Sequence, residues 1–318
     1  MKNIIKQINK SKRVAIIAHI SPDGDCLSSM TALYCILKNL GKYVKRFVDS
    51  SKINQMNKDF YELDDTINED LNVEEFDTII TVDLPSLNQM GKYANAVQSF
   101  ENTIAIDHHP VRDYKAKYEY IDSSSSSCAE IMFDLFNLMK AKITPQLASV
   151  LFSGIITDTN CFQNDNTSKR TFENASKLTS LGAQKDEIIF KFFKQQTIQE
   201  VQIKAIGFQN MVIENQIAYT IFTKKHFNQI GDDNCSGVVN DLLNINDTLF
   251  AFVIKQKEKN VYSVSLRCKK GYDVSKIAKM FGGGGHIQAS GLSFLNAPVR
   301  HAKQIYAECL KQIKEKQK

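Results

Sequence analysis

Along the first part of the chain, short apolar runs alternate with stretches whose apolar positions recur at helical spacing. Arg13–Ile20 (R-V-A-I-I-A-H-I) predicts a buried strand of the parallel type. It runs into His19 and the turn S-P-D-G-D, which carries Asp23 and Asp25. From Cys26 onward Leu27, Met30, Leu33, Tyr34 and Leu37 predict a helix, with Gly41 as its stop. Tyr43–Val48 predicts a second strand, and 50–71 a polar stretch of helix and irregular surface. Thr78–Leu84 predicts a third strand delivering Asp83, and Thr103–Ile106 a fourth running straight into Asp107, His108, His109 and Pro110. Ser123–Ser127 reads as a flexible loop whose hydroxyls can also cap the apolar helix that follows. Pro145 opens a further helix through Leu147, Val150, Leu151 and Ile155 that delivers Asp158.

The later part has another grammar. Lys185–Gly207 predicts one extended helical stretch, read as an interdomain connector. Gln216–Thr223 predicts a strand, and Leu249–Lys255 with Val261–Cys268 a hairpin turning at E-K-N. Asp273–Phe281 predicts a short helix ending in G-G-G-G-H, followed by a strand at Ala289–Leu295 and an amphipathic helix at Val299–Ile313. The expected architecture is α/β, with a largely parallel sheet first and a smaller domain after it. A length of 318 residues suits two domains. The expected boundaries are 1–190, a helical connector at 191–204, and 205–318.

Composition adds limits. No run of eighteen apolar residues occurs, and the N-terminus is amphipathic with no signal-peptide core. Seven cysteines without a C-x-x-C pair favour reduced, mostly buried thiols in a cytoplasmic protein over a disulfide framework or zinc cluster. From Val201 onward there are 17 Lys and Arg against 9 Asp and Glu; before it, 23 against 26. A basic second part facing an acidic first part suits a lobe that grips a polyanion beside one that binds metal.

Together His19, Asp23, Asp25, Asp83, Asp107, His108, His109 and Asp158 supply five aspartates and three histidines from four separated elements. Carboxylates and imidazoles at the ends of buried strands are hard to satisfy among Ile and Ala and are well suited to divalent cations. Two such ions bridged by a carboxylate supply a hydroxide nucleophile and clamp a phosphoryl group for in-line attack. The mixed set leans to Mn²⁺ over a structural zinc.

The segments H-I-S-P-D-G-D-C-L-S-S, T-V-D-L, D-H-H-P and T-D-T-N-C-F, in that order, resemble the four motifs of the DHH phosphoesterase family. F-G-G-G-G-H-I-Q-A-S-G at 281–291 resembles the hallmark of the attached DHHA1 domain. The resemblance covers nearly the whole chain and is most similar to the bacterial nano-RNase and pAp-phosphatase branch. It implies a doubly wound DHH domain, a smaller mixed-sheet DHHA1 domain, and an active site in the cleft between them. It also implies two Mn²⁺ ions, one held by His19, Asp23 and Asp83, the other by Asp25, Asp83, His108 and Asp158. Asp83 is then the bridge, Asp107 orients the histidine pair, and His109 faces the scissile phosphate. Arg267, Gly282, Gly283, Gly284, Gly285 and His286 match positions that bind substrate phosphate. Implied partners are short RNA or DNA oligonucleotides, among them pApA, or pAp itself, with a homodimer one compatible assembly.

Three positions depart from the family pattern: Gln89 and Gln163 stand where Arg is common, and Cys268 where Ser is frequent after Arg267. None is an implied metal ligand, so the chemistry is expected to survive with an altered substrate grip. The competing readings are a single-strand exonuclease, a pyrophosphatase or exopolyphosphatase of the same superfamily, and a non-catalytic nucleotide sensor.

Overall fold

The computed structural model describes residues 1–49, 51, 53–63, 70–235 and 237–316. The chain divides into two compact units, Met1–Gln195 and Gln196–Lys318.

In the first unit α1 (Lys2–Lys10) buries Ile4 and Ile8, one turn apart. The elements that follow are β1 (Arg13–Ile17), α2 (Gly24–Asn39), β2 (Tyr43–Phe47), α3 (Gln55–Phe60), β3 (Thr78–Val82), α4 (Ala94–Ser99), β4 (Thr103–Asp107), β5 (Tyr118–Ile121), α5 (Cys128–Leu138), α6 (Pro145–Asp158), α7 (Lys169–Ser180) and α8 (Lys185–Ile189). The strands form one parallel sheet in the order β2-β1-β3-β4-β5. Side chains alternate between its faces: Val14 and Ile16 join the core beneath α2, α5 and α6, while Ala15 and Ile17 join the core on the α4 side. The order reverses at β1 and β3, and in open α/β sheets that switch point, at the carboxyl ends of the strands, is where ligands bind. Both strands end in the residues singled out from the sequence.

Helices α2, α5 and α6 pack very closely. A Cβ on Gly154 of α6 would sit 2.5 Å from Ala129 Cβ and 2.6 Å from Ser28 Oγ, so the crossing requires glycine. That contact fixes the start of α5 against α2. Of the polar stretch at 50–71, positions 50, 52 and 64–69 lie outside the described residues, and α3 is the helix in the rest.

The expected single helical stretch from Lys185 to Gly207 is instead two helices. After α8 the chain makes a wide π-helical turn at Phe190–Lys194 and becomes extended at Gln195. α9 (Ile198–Gln209) then starts afresh on a capping box: Thr197 Oγ1 accepts the Glu200 N–H at 3.1 Å, and Glu200 Oε2 accepts that of Thr197 at 2.8 Å.

The second unit continues with β6 (Val212–Glu214), β7 (Ile217–Phe222), α10 (Lys224–Ile230), α11 (Val238–Leu243), β8 (Phe250–Glu258), β9 (Val261–Cys268), α12 (Val274–Met280), β10 (Gly284–Gly285), β11 (Ala289–Leu295) and α13 (Pro298–Lys316). Its six strands form a mixed sheet ordered β10-β11-β9-β8-β7-β6, parallel between β7 and β8 and antiparallel elsewhere. α12 and α13 cover one face through Ile277, Ile305 and Cys309; Ile203, Phe227 and Leu242 of α9, α10 and α11 cover the other.

Candidate active site

His19 follows β1 and lies 3.9 Å, ring Nε2 to Oδ1, from Asp23. Asp23 is the N-cap of α2, its Oδ1 accepting the Cys26 N–H at 3.0 Å. Asp25, in the first turn of the helix, is almost fully buried. Its two carboxylate oxygens accept the N–H groups of Cys128 (2.6 Å) and Ala129 (2.8 Å), the first free amides of α5.

Asp83 ends β3 in the left-handed region, with φ 52°, an uncommon conformation outside glycine. It is 2% exposed, and its Oδ1 has no hydrogen-bond partner among the described residues. That oxygen lies 3.5 Å from His108 Nε2 and 3.5 Å from His109 Nδ1. His108 Nε2 is in turn 3.9 Å from Asp25 Oδ2 and 3.8 Å from Asp158 Oδ2. Asp107, buried at the end of β4, takes both the backbone N–H (3.1 Å) and the ring Nδ1 (2.8 Å) of His109 on Oδ1. His109 therefore keeps Nε2 for an external partner.

Asp158 closes α6. Asn160, Cys161 and Phe162 behind it are all left-handed, at φ 48°, 56° and 66°, and the turn is locked by the Cys161 N–H on the Ile156 carbonyl at 2.7 Å. The turn folds back to Asn166, whose Nδ2 donates to Asp158 Oδ2 at 3.1 Å.

Crowding of carboxylates shifts the protonation of the cluster. Burial first, then Asp158 and Asp23, hold the Asp25 carboxyl well above its usual range; burial, then Asp25 and Asp23, do the same to Asp83. Asp158 is pushed up to about 7 by burial and Asp23. Burial and then His109 pull His108 down, while His109 itself ends raised, burial being outweighed by its Asp107 bond.

These residues fit divalent cations. A buried carboxylate oxygen with no donor among the described residues, set among four further carboxylates, is suited to a cationic partner. Donor atoms around an ion bonded at about 2.0–2.2 Å lie about 3–3.6 Å apart, close to the separations here. Two groups of potential ligands share His108: Asp83 with both histidines of the pair, and Asp25 with Asp158. A third, His19, Cys26 and Asp83, adds a thiol that spacing alone had set aside. Burial, then Asp83 and Asp23, push the Cys26 thiol well up, and its Sγ faces the Val82 carbonyl at 3.8 Å, so it behaves as a neutral wall of the site.

In the second unit Arg267 on β9 pairs in register with Ala289 on β11, beside the glycine hairpin. The glycines have structural work there: a Cβ on Gly283 would meet the Gly291 carbonyl oxygen at 2.3 Å, and Gly285 has φ 136°. Gly282 is left-handed, at φ 76°, and Gly284 is open to a neighbour. Arg267 is half-buried, donates to its neighbour's Leu266 carbonyl at 2.9 Å, and is lowered by burial. The His286 side chain is exposed.

Of the departures, Gln89 reaches the site through its main chain, its carbonyl accepting the Ile20 N–H at 2.9 Å. Gln163 is exposed, and Cys268 is buried in the sheet core. Sequence reasoning overlooked Arg112, Glu130 and Asn166. The Arg112 side chain is 7% exposed, with Nε 3.4 Å from Asp107 Oδ2 and its guanidinium 4.2 Å from the Tyr114 ring centroid. The S-x-x-E spacing of Ser127 and Glu130 was a readable helix-start signal.

Comparison with known proteins agrees with this geometry. Residues 13–155 match the DHH family, N-terminal domain, and residues 215–316 the DHHA1 domain. The chain is 28% identical, over 98% of its length and 96% of the relative's, to the bifunctional oligoribonuclease and PAP phosphatase NrnA of Mycoplasma genitalium. Its fold is similar to that of an exopolyphosphatase-related protein from Bacteroides fragilis, with TM-score 0.89 and 23% identity over 99% of this chain and 96% of the other. It also resembles an exonuclease RecJ structure bound to manganese, with TM-score 0.54 and 13% identity over 95% and 91% of the two chains. With both domains matched in order and the strand-end carboxylates and histidines assembled into one cluster, the chain belongs to the DHH family of phosphoesterases, in its DHHA1-bearing form.

Proposed function

We propose that the protein hydrolyses very short oligonucleotides, such as dinucleotides and pApA, to 5′-mononucleotides, and pAp to AMP, with two Mn²⁺ ions as cofactor. The observation that carries this reading is Asp83: a buried, donorless carboxylate oxygen equidistant, at 3.5 Å, from His108 and His109. His19, Asp23 and Asp83 would hold one ion, and Asp25, Asp83, His108 and Asp158 the other. When bound, the pair supplies Lewis acidity and an activated water for attack on phosphorus. Asp107 fixes the His109 ring by its Nδ1, so that Nε2 serves as donor or proton relay to a phosphate oxygen or the leaving group. Arg112, its Nε 3.4 Å from Asp107 Oδ2, helps hold Asp107 in place for that task.

Arg267, His286 and the Gly282–Gly285 hairpin supply the grip on a second phosphate. An arginine fork and a glycine backbone that anions can approach closely favour that role. Support for the substrate class comes from the printed function of the Mycoplasma relative, and for the metal from the manganese-bound exonuclease of like fold. The test is a rate comparison with purified protein and Mn²⁺ on a dinucleotide, pApA and pAp. Release of mononucleotides supports the reading; binding without release refutes it and identifies a nucleotide sensor.

A further inference from the structure

The last three residues of the five-serine run are buried, not a solvated loop. Ser125, Ser126 and Ser127 are 3%, 0% and 0% exposed, and they surround a Glu130 that is itself 0% exposed. Glu130 Oε2 accepts the Ser125 hydroxyl (2.9 Å), the Ser126 N–H (2.8 Å) and the Ser126 hydroxyl (3.2 Å). Its Oε1 lies 3.4 Å from Asn174 Nδ2. Ser127 caps α5, its hydroxyl accepting the Glu130 N–H at 3.1 Å. On the other side of the loop Asn166 Nδ2 donates to the Ser126 carbonyl at 2.8 Å and to Asp158 Oδ2 at 3.1 Å.

One small loop thus reaches two carboxylates of the site by separate routes. Through the start of α5 it aims the Cys128 and Ala129 N–H groups at Asp25. Through Asn166 it restrains Asp158. A carboxylate buried among neutral donors is costly to keep, and an apolar residue would fill the same volume more cheaply. Fixing the register of the loop supplies a reason for it.

We propose that Glu130 and Asn166 are positioning residues, holding the Ser125–Ser127 loop so that Asp25 and Asp158 present their oxygens jointly to a divalent cation. This rests on the metal-site reading given above. Outer residues that orient ligands typically alter metal affinity by 10–100-fold when replaced. Whichever way the amide turns, Glu130→Gln sets an NH₂ against donors, either those of Ser125 and Ser126 or that of Asn174. Asn166 is exposed, so Asn166→Ala removes one link without disturbing a core.

The experiment measures Mn²⁺ dissociation constants by electron paramagnetic resonance of the free ion. Wild type, Glu130→Gln, Asn166→Ala and the neighbouring control Ser123→Ala are compared, with melting of each metal-free protein. Glu130→Gln is expected to weaken Mn²⁺ binding about 10–100-fold and Asn166→Ala about tenfold, with Ser123→Ala unchanged. Asn166→Ala should melt with wild type when metal-free, which a merely structural role does not combine with lost affinity. Wild-type affinity in both variants would overturn the positioning role while leaving the metal reading intact. Absence of Mn²⁺ binding by the wild type would overturn the metal reading, and this inference with it.

Discussion

Replacing Asp83 by Asn is expected to move activity and stability in opposite directions. The Asp83 carboxylate is 2% exposed, its Oδ1 has no donor among the described residues, and burial and then Asp25 and Asp23 hold its carboxyl well above the usual range. A folded-state pKa above the unfolded one means a penalty that is full at neutral pH and relieved on acidification. The amide removes that penalty, and Asn tolerates the left-handed φ of 52° better than most residues. An unsatisfied buried group costs about 1–3 kcal/mol, more if charged, so the metal-free variant gains about that much. For a unit of this size each kcal/mol shifts Tm by about 2–4 °C. Turnover, in contrast, should be lost, because a neutral amide cannot bridge two cations. Mn²⁺ at about 100 times its Kd stabilises a single-site protein by about 2.7 kcal/mol, and the variant should lose most of that increment. The assay is differential scanning of both proteins with and without Mn²⁺, beside turnover of a dinucleotide. A variant that is less stable than wild type without metal, or that keeps a near-normal rate, would refute the reasoning.

Three further outcomes are expected. Arg267→Ala should lower kcat/KM for dinucleotides and pAp by about one to two decades, the worth of a charge-assisted contact of about 1.5–3 kcal/mol. It should leave a minimal phosphodiester untouched, and equal loss on both substrates would count against a phosphate grip by the second unit. Gly154→Ala should destabilise by about 1–3 kcal/mol in denaturant titration, because its Cβ falls 2.5 Å from that of Ala129; a neutral result would mean the helices part readily. Asp158, pushed up to about 7, must lose its proton to bind a cation, so apparent Mn²⁺ affinity should weaken as pH falls through 7. By the same sign the metal-free protein should gain stability there; Mn²⁺ affinity and metal-free melting measured on either side of pH 7 test the two outcomes.

Much of the fold was legible because strands buried on both faces write unbroken apolar runs. β1, β3 and β4 did so, and the polar residues that interrupted them at their ends were the cluster itself. β5, Y-E-Y-I at the sheet edge, mixes exposed and half-buried positions and left no such trace. The break before α9 lay hidden because apolar periodicity continues across it, although T-I-Q-E carried the capping signal. The serine run was misread for a different reason. Hydroxyls give no sign of burial in a sequence, and their partner Glu130 looked like any polar position on an amphipathic helix. Arg112 was invisible as well, since its meaning depends on the β4–β5 connection turning it back onto Asp107.

The left-handed turn at Asn160–Phe162 also bears on how variation in this family is to be interpreted. Each non-glycine residue held in that region costs on the order of 1–2 kcal/mol, and three in succession make the segment intolerant on steric grounds alone. Glycine, asparagine and aspartate are the natural substitutes at Asn160 and Cys161, and β-branched residues are excluded. Positions 160–162 would therefore draw on a restricted set of residues even if none of their side chains touched a substrate. That restriction would measure the handedness of a backbone, and a survey that ranks residues by restriction alone would mistake covalent geometry for chemistry.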